Sequence, residues 1–437
     1  MTFPSYDCFK SIDADWLGKV PSHWEVVRLR YLFKRVKRTN CPEKELLSVY
    51  RDYGVIPKNS RDDNHNKPSD DLSPYQLVES GDLVMNKMKA WQGSIAISEY
   101  EGIVSPAYFV YSFSGVGKNS THSKYVHYLL RSPAYITQYM ARSKGIRVNQ
   151  WDLEPEAFEH IEVLLPTIEE QKTIATFLDR ETQRIDSLIE EKQNFIKLLK
   201  EKRQALISHV VTKGLNPNVE MQDSGIEWIG QVPKHWSVCK LSYRYEVLLG
   251  KMLDEKKITK RHLGNYLRNT DVQWGKINTQ NLPAMDFKPS EIERYQVLKG
   301  DLLICEGGEV GRCAIWKNEH SCFYQKALHR ARPLQTEKDS TNFLFYVISD
   351  AVNQKRFESA SNKATIAHLP AEALRKYVFA FPPLNEQIEI STFLDAQHTI
   401  IETLIEEVSL SIELLKEHRT SLISASVTGK IDVREAV

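Results

Sequence analysis

The residues of this chain that could perform chemistry do not combine into a catalytic motif. The stretch Ser114–Ser120, "SGVGKNS", contains a Gly-Lys pair, but its spacing does not fit a nucleotide-binding P-loop, and Lys118 is followed by asparagine instead of a hydroxyl residue. The overlapping segment Phe113–Gly117 imitates the F-x-G-x-G loop that holds S-adenosylmethionine. The Asn/Asp-Pro-Pro-aromatic tetrapeptide of such sites is absent, however, and "SPAY" at Ser105–Tyr108 is its nearest approximation. We interpret the stretch as a glycine turn between a strand and a helix.

Histidine and cysteine also lack the partners that catalysis or metal binding would need. His23 and His235 each stand in a Pro-x-His-Trp segment, where a tight turn beside a tryptophan favours a structural role. The six cysteines form no C-x-x-C pair and have no histidines at zinc spacing. The N-terminal sequence does not have the pattern of a secretory signal, and no apolar run is long enough to span a membrane. These features predict a cytoplasmic protein with reduced thiols and no membrane partner.

An internal repeat organises the chain. The segment "WLGKVPSHWEVVRL" (Trp16–Leu29) returns as "WIGQVPKHWSVCKL" (Trp228–Leu241), and "LPTIEEQ" (Leu165–Gln171) returns as "FPPLNEQ" (Phe381–Gln387). The order is the same in both halves, which predicts two copies of one structural unit.

Each copy ends in a long amphipathic helix. Phe177–Gly214 and Phe393–Lys430 align at an offset of 216 residues and have apolar residues at steps of three and four. This spacing predicts a heptad seam formed by Ile185, Leu188, Phe195, Leu199 and Leu206 in the first helix and by Ile401, Leu404, Leu415 and Leu422 in the second. Because each stripe alone would face water, we expect the two helices to pack together as an antiparallel coiled coil. The alternative is that each helix packs on its own globular neighbour.

The segments before the helices mix short β-like runs with helical ones, which predicts a mixed α/β (α+β) fold. We expect two α+β recognition domains, related by a pseudo-two-fold axis and separated by the two long antiparallel helices. The expected boundaries are residues 1–165 for the first domain, 166–213 for its helix, 214–226 for a linker, 227–381 for the second domain and 382–430 for the distal helix.

The net charge of +1 conceals an uneven distribution. Residues 227–381 contain 24 basic and 17 acidic residues, a net charge of +7. Residues 382–437 contain 4 basic and 10 acidic residues, a net charge of −6. The basic segment favours a nucleic-acid partner, whereas the acidic helix favours a protein partner.

The repeated motifs resemble the specificity subunit of Type I restriction–modification enzymes. The resemblance rests on the W-[LI]-G-x-V-P-x-H-W opener, the [LF]-P-x-x-x-E-Q helix entry and the E-L-L-K-E-x-R-x-x-L-I-S ending, best seen from Glu413 to Ser424, and it covers essentially the whole chain. It implies a non-catalytic subunit in which each domain reads one half of a split double-stranded DNA target. The helices would set the gap and dock methyltransferase subunits, two copies being expected, with restriction subunits joining through the complex. S-adenosylmethionine, ATP and Mg²⁺ would then lie on the partner subunits and no cofactor on this chain.

Candidate DNA-binding side chains are cations and amides, which in the first domain stand in turn-like segments that also contain an aromatic residue. In the first domain they are Asn86, Lys87, Lys89, Gln92, Lys144, Arg147, Asn149 and Gln150; in the second they are Lys257, Lys260, Arg261, Arg268, Asn269, Lys276, Asn362 and Lys363. The aligned segments "KMKAWQGSIAI" and "EGGEVGRCAI" differ in their polar residues, which predicts two unlike half-sites.

For the partner surface we expect the exposed flanks of the helices, with Glu170, Gln171, Glu190, Glu191, Glu406 and Glu407; alternatively, these charges only keep the helices soluble. Two other functions compete with DNA recognition. One is a methyltransferase or nuclease acting alone, which the missing motifs disfavour. The other is a coiled-coil scaffold for proteins, which the basic second domain disfavours.

Overall fold

The computed structural model describes residues 3–51, 53–61, 67–147, 150–252, 259–357 and 368–436. The chain forms two compact units. Unit 1 consists of residues 1–192 and 409–437, and unit 2 consists of residues 193–408. Each long helix therefore contributes one segment to each unit.

Unit 1 is built around a four-stranded antiparallel sheet with the order β4-β11-β8-β9. Val110 of the second strand pairs with Val36 on one side and Val84 on the other. The strands of the unit are β1 Phe9–Lys10, β2 Val20–Pro21, β3 Glu25–Arg28, β4 Phe33–Val36, β5 Leu47–Tyr50, β6 Gly54–Pro57, β7 Gln76–Val78, β8 Leu83–Asn86, β9 Ile95–Ile97, β10 Gly102–Val104, β11 Tyr108–Phe113, β12 Lys144–Arg147, β13 Gln150–Asp152 and β14 Glu162–Leu165. The helices are α1 Leu29–Leu32, α2 Gly115–Ser120, α3 Ser123–Leu130, α4 Pro133–Arg142, α5 Pro155–Glu159 and the first part of α6 Ile168–Lys213.

Unit 2 repeats this sheet as β18-β27-β24-β25. Its strands are β15 Met221–Asp223, β16 Gln231–Pro233, β17 Ser237–Lys240, β18 Tyr245–Leu249, β19 Leu263–Leu267, β20 Val272–Gln273, β21 Lys276–Ile277, β22 Ala284–Asp286, β23 Gln296–Val297, β24 Leu302–Cys305, β25 Cys313–Ile315, β26 Cys322–Tyr324, β27 Leu328–Pro333 and β28 Val378–Phe381. Its helices are α7 Ile292–Tyr295, α8 Thr341–Asn353, α9 Ala371–Lys376 and the first part of α10 Leu384–Val427. A second sheet with the order β22-β19-β26-β23 is particular to unit 2 among the described residues.

Each sheet is accompanied by the repeated opener and a long helix. The opener strand β3 pairs with β14, and its equivalent β17 pairs with β28, so that the strand leading into each long helix is hydrogen-bonded to the opener. Prolines at 166 and 382 end these strands before α6 and α10. Glycines at 214 and 429 follow the helices with φ of +73° and +68°, the left-handed conformation of a helix C-terminus.

The long helices run antiparallel, as the sequence predicts. In unit 1, Arg419 of α10 donates to Asp186 of α6 at 2.9 and 3.1 Å. In unit 2, Arg203 of α6 is paired with Glu402 of α10. Moving seventeen residues forward along α6, from 186 to 203, thus corresponds to moving seventeen back along α10, from 419 to 402, which is the register of an antiparallel pair.

The seam between the helices differs from the predicted one. Ile185, Leu199, Ile401 and Leu422 are buried, and Leu188, Leu206, Leu404 and Leu415 are half-buried. The assignment of Phe195 to the seam is wrong, because its side chain is 45% exposed. The neighbouring Ile196 is half-buried instead, and in α10 the equivalent Ile412 is 6% exposed. The apolar stripe is broad enough for this change. The predicted seam runs from Lys192 to Leu199 by way of Phe195, whereas the observed seam runs by way of Ile196.

Candidate nucleic-acid interface

A buried carboxylate joins the opener of unit 1 to its long helix. Glu170 accepts hydrogen bonds from the Tyr6 hydroxyl at 2.7 Å and from Trp24 Nε1 at 3.1 Å, and it lies 2.9 Å from His23 Nε2. In unit 2, Glu386 accepts from Trp236 Nε1 at 3.1 Å and lies 2.8 Å from the His235 ring. The histidines of both openers are therefore engaged in the same structural contact.

The glutamine that follows each of these carboxylates fixes the loop before a neighbouring helix. Gln171 accepts from the backbone N–H of His122 at 2.8 Å and donates to the carbonyls of Ser120 and Pro166, each at 2.9 Å. Gln387 does the same with Ser340, Lys338 and Pro382.

This geometry corrects the expected partner surface. Glu170 is 5% exposed and Gln171 is fully buried, so neither lies on an exposed helix flank. Glu170 is buried because Tyr6, His23 and Trp24 surround its carboxylate as hydrogen-bond partners. Gln171 is buried because its amide is hydrogen-bonded to the loop before α3 and to the Pro166 carbonyl. Glu190, Glu191, Glu406 and Glu407 are exposed.

The "SGVGKNS" stretch has the glycine turn that its sequence suggests. Strand β11 ends at Phe113, and Ser114 Oγ accepts the Gly117 N–H at 2.9 Å as the N-terminal cap of α2. A Cβ atom on Gly117 would lie 2.1 Å from the carbonyl oxygen of Leu32, so this glycine is required for close packing. The stretch therefore caps α2 and lets it pack closely on α1.

The two candidate DNA-binding segments of unit 1 meet beside the end of β8. Lys87 Nζ lies 2.9 Å from the carboxylate of Asp152, and the Leu153 N–H donates to the Lys87 carbonyl at 3.1 Å. The rings of Trp91 and Trp151 pack on each other with centroids 4.9 Å apart. A loop and a strand pair that are some sixty residues apart in sequence therefore form one polar and aromatic surface.

The candidate side chains of this surface differ in accessibility. Lys89, Gln92 and Lys144 are exposed, while Asn86 and Lys87 are half-buried. The side-chain oxygen of Asn86 accepts the Met88 N–H at 3.1 Å, which shapes the turn after β8. Arg147 and Gln150 pair through their backbones between β12 and β13, and Asn149 lies outside the described residues.

In unit 2 the loop after β24 occupies the equivalent position. Glu306 lies 3.2 Å from His368 Nε2, and the Leu369 N–H donates to the Glu306 carbonyl at 2.8 Å. Neither Glu306 nor His368 is among the individual side chains selected from the sequence. The signal that could have found them is the buried leucine that follows each second segment, Leu153 in unit 1 and Leu369 in unit 2.

Two of the candidate side chains of unit 2 have structural partners. Asn269 donates to the carbonyl of Gly307 at 2.8 Å and accepts from Arg312 at 2.9 Å, so its amide holds the loop after β24. Arg268 donates to both carboxylate oxygens of Asp271, at 2.8 and 2.9 Å. The assignment of Asn269 as a base-reading side chain is therefore wrong, because both ends of its amide form hydrogen bonds within the unit.

The remaining candidates of unit 2 divide into exposed and undescribed residues. Lys260, Arg261 and Lys276 are exposed cations. Lys257, Asn362 and Lys363 lie outside the described residues.

The long helices also carry an exposed apolar feature that repeats. Leu198 is 60% exposed and Leu414 is 56% exposed, and the two positions are 216 residues apart, the offset of the repeat. Glu190 and Glu406 are related by the same offset. The outward face of each helix therefore combines acidic residues with a leucine.

Two further properties bear on what the chain binds. Among the described residues, no helix combines the length and apolar character that crossing a bilayer requires. The same part of the chain contains no group of three or more His, Cys, Asp or Glu residues arranged to hold a metal ion.

Comparison with known proteins identifies similar chains along almost the whole length. The family model described as the Type I restriction modification DNA specificity domain matches twice, at residues 21–198 and 235–413. The putative type I restriction enzyme MjaX specificity subunit of Methanocaldococcus jannaschii is 22% identical, over 96% of this chain and 96% of its own length. The type I restriction enzyme EcoKI specificity subunit of Escherichia coli K12 is 21% identical, over 95% of this chain and 90% of its own length.

Solved structures share the fold. A chain from a type I R-M system, studied for its complex assembly and conformational transition, superposes with a TM-score of 0.69 at 16% identity, covering 93% of this chain and 98% of that one. The HsdS subunit of Thermoanaerobacter tengcongensis superposes with a TM-score of 0.55 at 16% identity, covering 94% and 98%.

Proposed function

The chain belongs to the Type I restriction modification DNA specificity domain family, and we propose that it is the DNA-recognition subunit of a type I restriction–modification system. Each unit would read one half of a two-part, asymmetric DNA target. The observation that carries this proposal is the pair of units with the same sheet order but different polar residues on the loops after β8 and β24.

The surface formed by these loops has the chemistry of DNA binding. In unit 1, Lys89, Gln92 and Lys144 are exposed around the Lys87–Asp152 contact. Cations of this kind bind phosphates, and amides and cations read base edges in the major groove. We propose residues 1–165 and 227–381 as the two reading domains, each carrying the base-selecting loop of its half-site.

The long helices would supply the distance between the readers and the partner surface. Leu198, Leu414 and the exposed glutamates at 190, 191, 406 and 407 recur at one offset on both helices. A repeated surface favours two copies of the same partner, and we propose two methyltransferase subunits. Catalysis, with S-adenosylmethionine, ATP and Mg²⁺, would reside on the partner subunits, and the complex would act on DNA in the cytoplasm.

Mapping of methylated bases tests the proposal. Cells would express the methyltransferase subunit of the same system with or without this chain, and their DNA would be sequenced for modified adenine. We expect methylation at one asymmetric motif with two parts and a fixed gap only when this chain is present. Methylation that is the same in both cultures would contradict the proposal and would leave a protein scaffold as the better description.

Exchange of one domain tests the assignment of half-sites. Residues 227–381 would be replaced by the second domain of another family member, with exchange of residues 1–165 as the matched control. Each exchange should alter one half of the methylated motif and leave the other half unchanged. A change in both halves from either exchange would contradict modular reading.

The spacer role has a separate experiment. One heptad would be inserted into each helix at equivalent positions, so that the antiparallel register of the ion pairs Asp186–Arg419 and Arg203–Glu402 is preserved. We expect a longer gap between the unchanged half-sites. A gap of the original length would show that the helices do not set it.

A further inference from the structure

The two units carry a contact between a nitrogen group and a carboxylate at equivalent places, and the order of these two groups along the chain is reversed. The Leu153 N–H donates to the carbonyl of Lys87, and the Leu369 N–H donates to the carbonyl of Glu306. This shared hydrogen bond makes Lys87 equivalent to Glu306. The residue before each leucine is Asp152 in unit 1 and His368 in unit 2, and it binds the side chain of that equivalent residue.

The two pairs, which we call the loop pairs, differ in which segment supplies the nitrogen. In unit 1 the ammonium of Lys87 follows strand β8, and its side chain is 33% exposed. In unit 2 the carboxylate of Glu306 follows strand β24 and is 7% exposed, while the imidazole of His368 on the second segment is 52% exposed. The pair of unit 2 therefore presents its nitrogen group to solvent over a buried carboxylate, whereas in unit 1 the Asp152 carboxylate is 34% exposed, about as much as Lys87. In both pairs the carboxylate contacts the nitrogen group and can orient it.

The frame next to the loop pairs is the same in both units. Asp82 accepts the Glu79 N–H at 2.9 Å at the turn before β8, and Asp301 accepts the Leu298 N–H at 2.7 Å at the turn before β24. Each aspartate also binds an arginine, which is Arg38 just after β4 in unit 1 and Arg332 of β27 in unit 2. Since the frame is kept while the loop pair is reversed, folding of the unit does not dictate the order of the pair.

We propose, resting on the proposed function, that the loop pairs are base-selecting contacts of the two units. Lys87 and His368 donate to the N7 and O6 acceptors that guanine presents in the major groove. Asp152 and Glu306 are positioning residues that orient these donors and limit their rotation. The reversal moves the donor from the loop in unit 1 to the second segment in unit 2, so the two units select bases at different places in their half-sites.

The experiment is an exchange of the loop pairs in the complete complex with the methyltransferase subunits. The double variant Lys87→Glu/Asp152→His gives unit 1 the pair of unit 2, and Glu306→Lys/His368→Asp gives unit 2 the pair of unit 1. The matched control is Lys44→Glu/Glu101→Lys, which reverses an exposed pair of unit 1 that lies 2.6 Å apart. Each complex selects from a library of DNA duplexes with randomised bases, and the bound duplexes are sequenced.

We expect the control and the unaltered complex to select the same two-part motif. The Lys87/Asp152 variant should change the preferred base at one or two adjacent positions of one half-site by tenfold or more in enrichment, and the other half should stay unchanged. The Glu306/His368 variant should change the preferred base in the other half-site and leave the first half-site unchanged. Loss of preference confined to those positions also supports the proposal, because the remaining contacts still bind.

An exchange that leaves the selected motif unaltered, whatever the affinity of the complex for DNA, would overturn the proposal. The loop pairs would then only hold the loop to the second segment. A change spread over both half-sites would overturn it as well. Where a double variant binds no duplex, the single variant Lys87→Gln or His368→Gln, which replaces one donor by an amide, is tested in its place and judged by the same outcomes. An unaltered complex that selects no two-part motif would instead contradict the proposed function itself, and this inference with it.

Discussion

Arg419 donates to both carboxylate oxygens of Asp186, at 2.9 and 3.1 Å, across two helices that run in opposite directions. The equivalent pair under the 216-residue offset is Arg203 with Glu402. The side chains of the first pair are 35% and 54% exposed, and exposed ion pairs contribute less than about 1 kcal/mol to stability. The pairs therefore define the register of the helices, while the buried apolar residues beside them hold the helices together.

Leu198 and Leu199 separate helix packing from partner binding. Leu199 is 6% exposed, so Leu199→Asp would place an unpaired charge in an apolar seam and should lower the free energy of unfolding by about 3 kcal/mol or more. Leu198 is 60% exposed, and Leu198→Asp should change it by about 0.5 kcal/mol or less while weakening methyltransferase binding. Urea unfolding and co-purification measure the two effects. Equal stability of the two variants would contradict the observed seam.

Glu170 should matter more for stability than its repeat equivalent. Glu170→Ala leaves the Tyr6 hydroxyl and Trp24 Nε1 without their acceptor in a buried site and should cost about 3 kcal/mol. Glu386→Ala should cost about 1 kcal/mol, because no tyrosine of the described residues bonds to Glu386 and its side chain is 22% exposed. Thermal unfolding of both variants is compared with Glu169→Ala, an exposed neighbour that should be neutral. A larger loss at Glu386 would refute this ranking.

Gly117 and Gly115 provide a second matched comparison. Gly117→Ala forces a Cβ to within 2.1 Å of the Leu32 carbonyl oxygen, and the backbone shift that relieves this should cost about 2 kcal/mol. At Gly115 a Cβ meets nothing within 4 Å, so Gly115→Ala should be neutral or slightly stabilising. The melting temperature of each variant is the measurement. A tolerated Gly117→Ala would mean that α2 packs less closely on α1 than the structure indicates.

His329 should make unit 2 sensitive to mild acid. It is fully buried and its Nε2 lies 2.7 Å from the Leu369 carbonyl oxygen, and burial lowers its pKa to about 4. His329 binds a proton near pH 6.5 in the unfolded chain and near pH 4 in the folded chain. Its contribution to the free energy of unfolding is therefore fully present above pH 6.5 and is lost as the pH drops toward 4. This group contributes on the order of 3 kcal/mol to that loss.

The variant His329→Gln isolates this effect. It removes the titrating ring while keeping a side chain that can donate to the Leu369 carbonyl, so its stability should fall less steeply between pH 6.5 and 4 than that of the unaltered chain. Urea unfolding at several pH values gives both slopes. Parallel curves would exclude His329 as the group that titrates.

Several features of the architecture follow from the sequence alone. The offset repeat, the strand before each proline, the long helices and the glycines after them are local patterns, since periodicity and turn chemistry act within a few residues. The antiparallel pairing also follows, because two equivalent apolar stripes in one chain bury each other most simply in that direction. The same reasoning identifies the "SGVGKNS" stretch as a turn.

The tertiary structure decided which side chains these patterns leave available. Glu170 looks like an exposed helix-entry glutamate, yet Tyr6, His23 and Trp24 enclose it from about 150 residues away. Phe195 fits the heptad as well as Ile196 does, and only the rotation of α6 against α10 exposes the first and covers the second.

The loop pairs show the same division. The sequence indicates polar turns near Lys87 and Asp152, and near Glu306 and His368, but the members of each pair are 62 to 65 residues apart. Local propensity cannot specify such a contact, because it arises when the sheet brings the loop beside the segment that ends in a buried leucine. The sequence by itself determined the repeated frame, and the packing of each unit decided which charges meet within it.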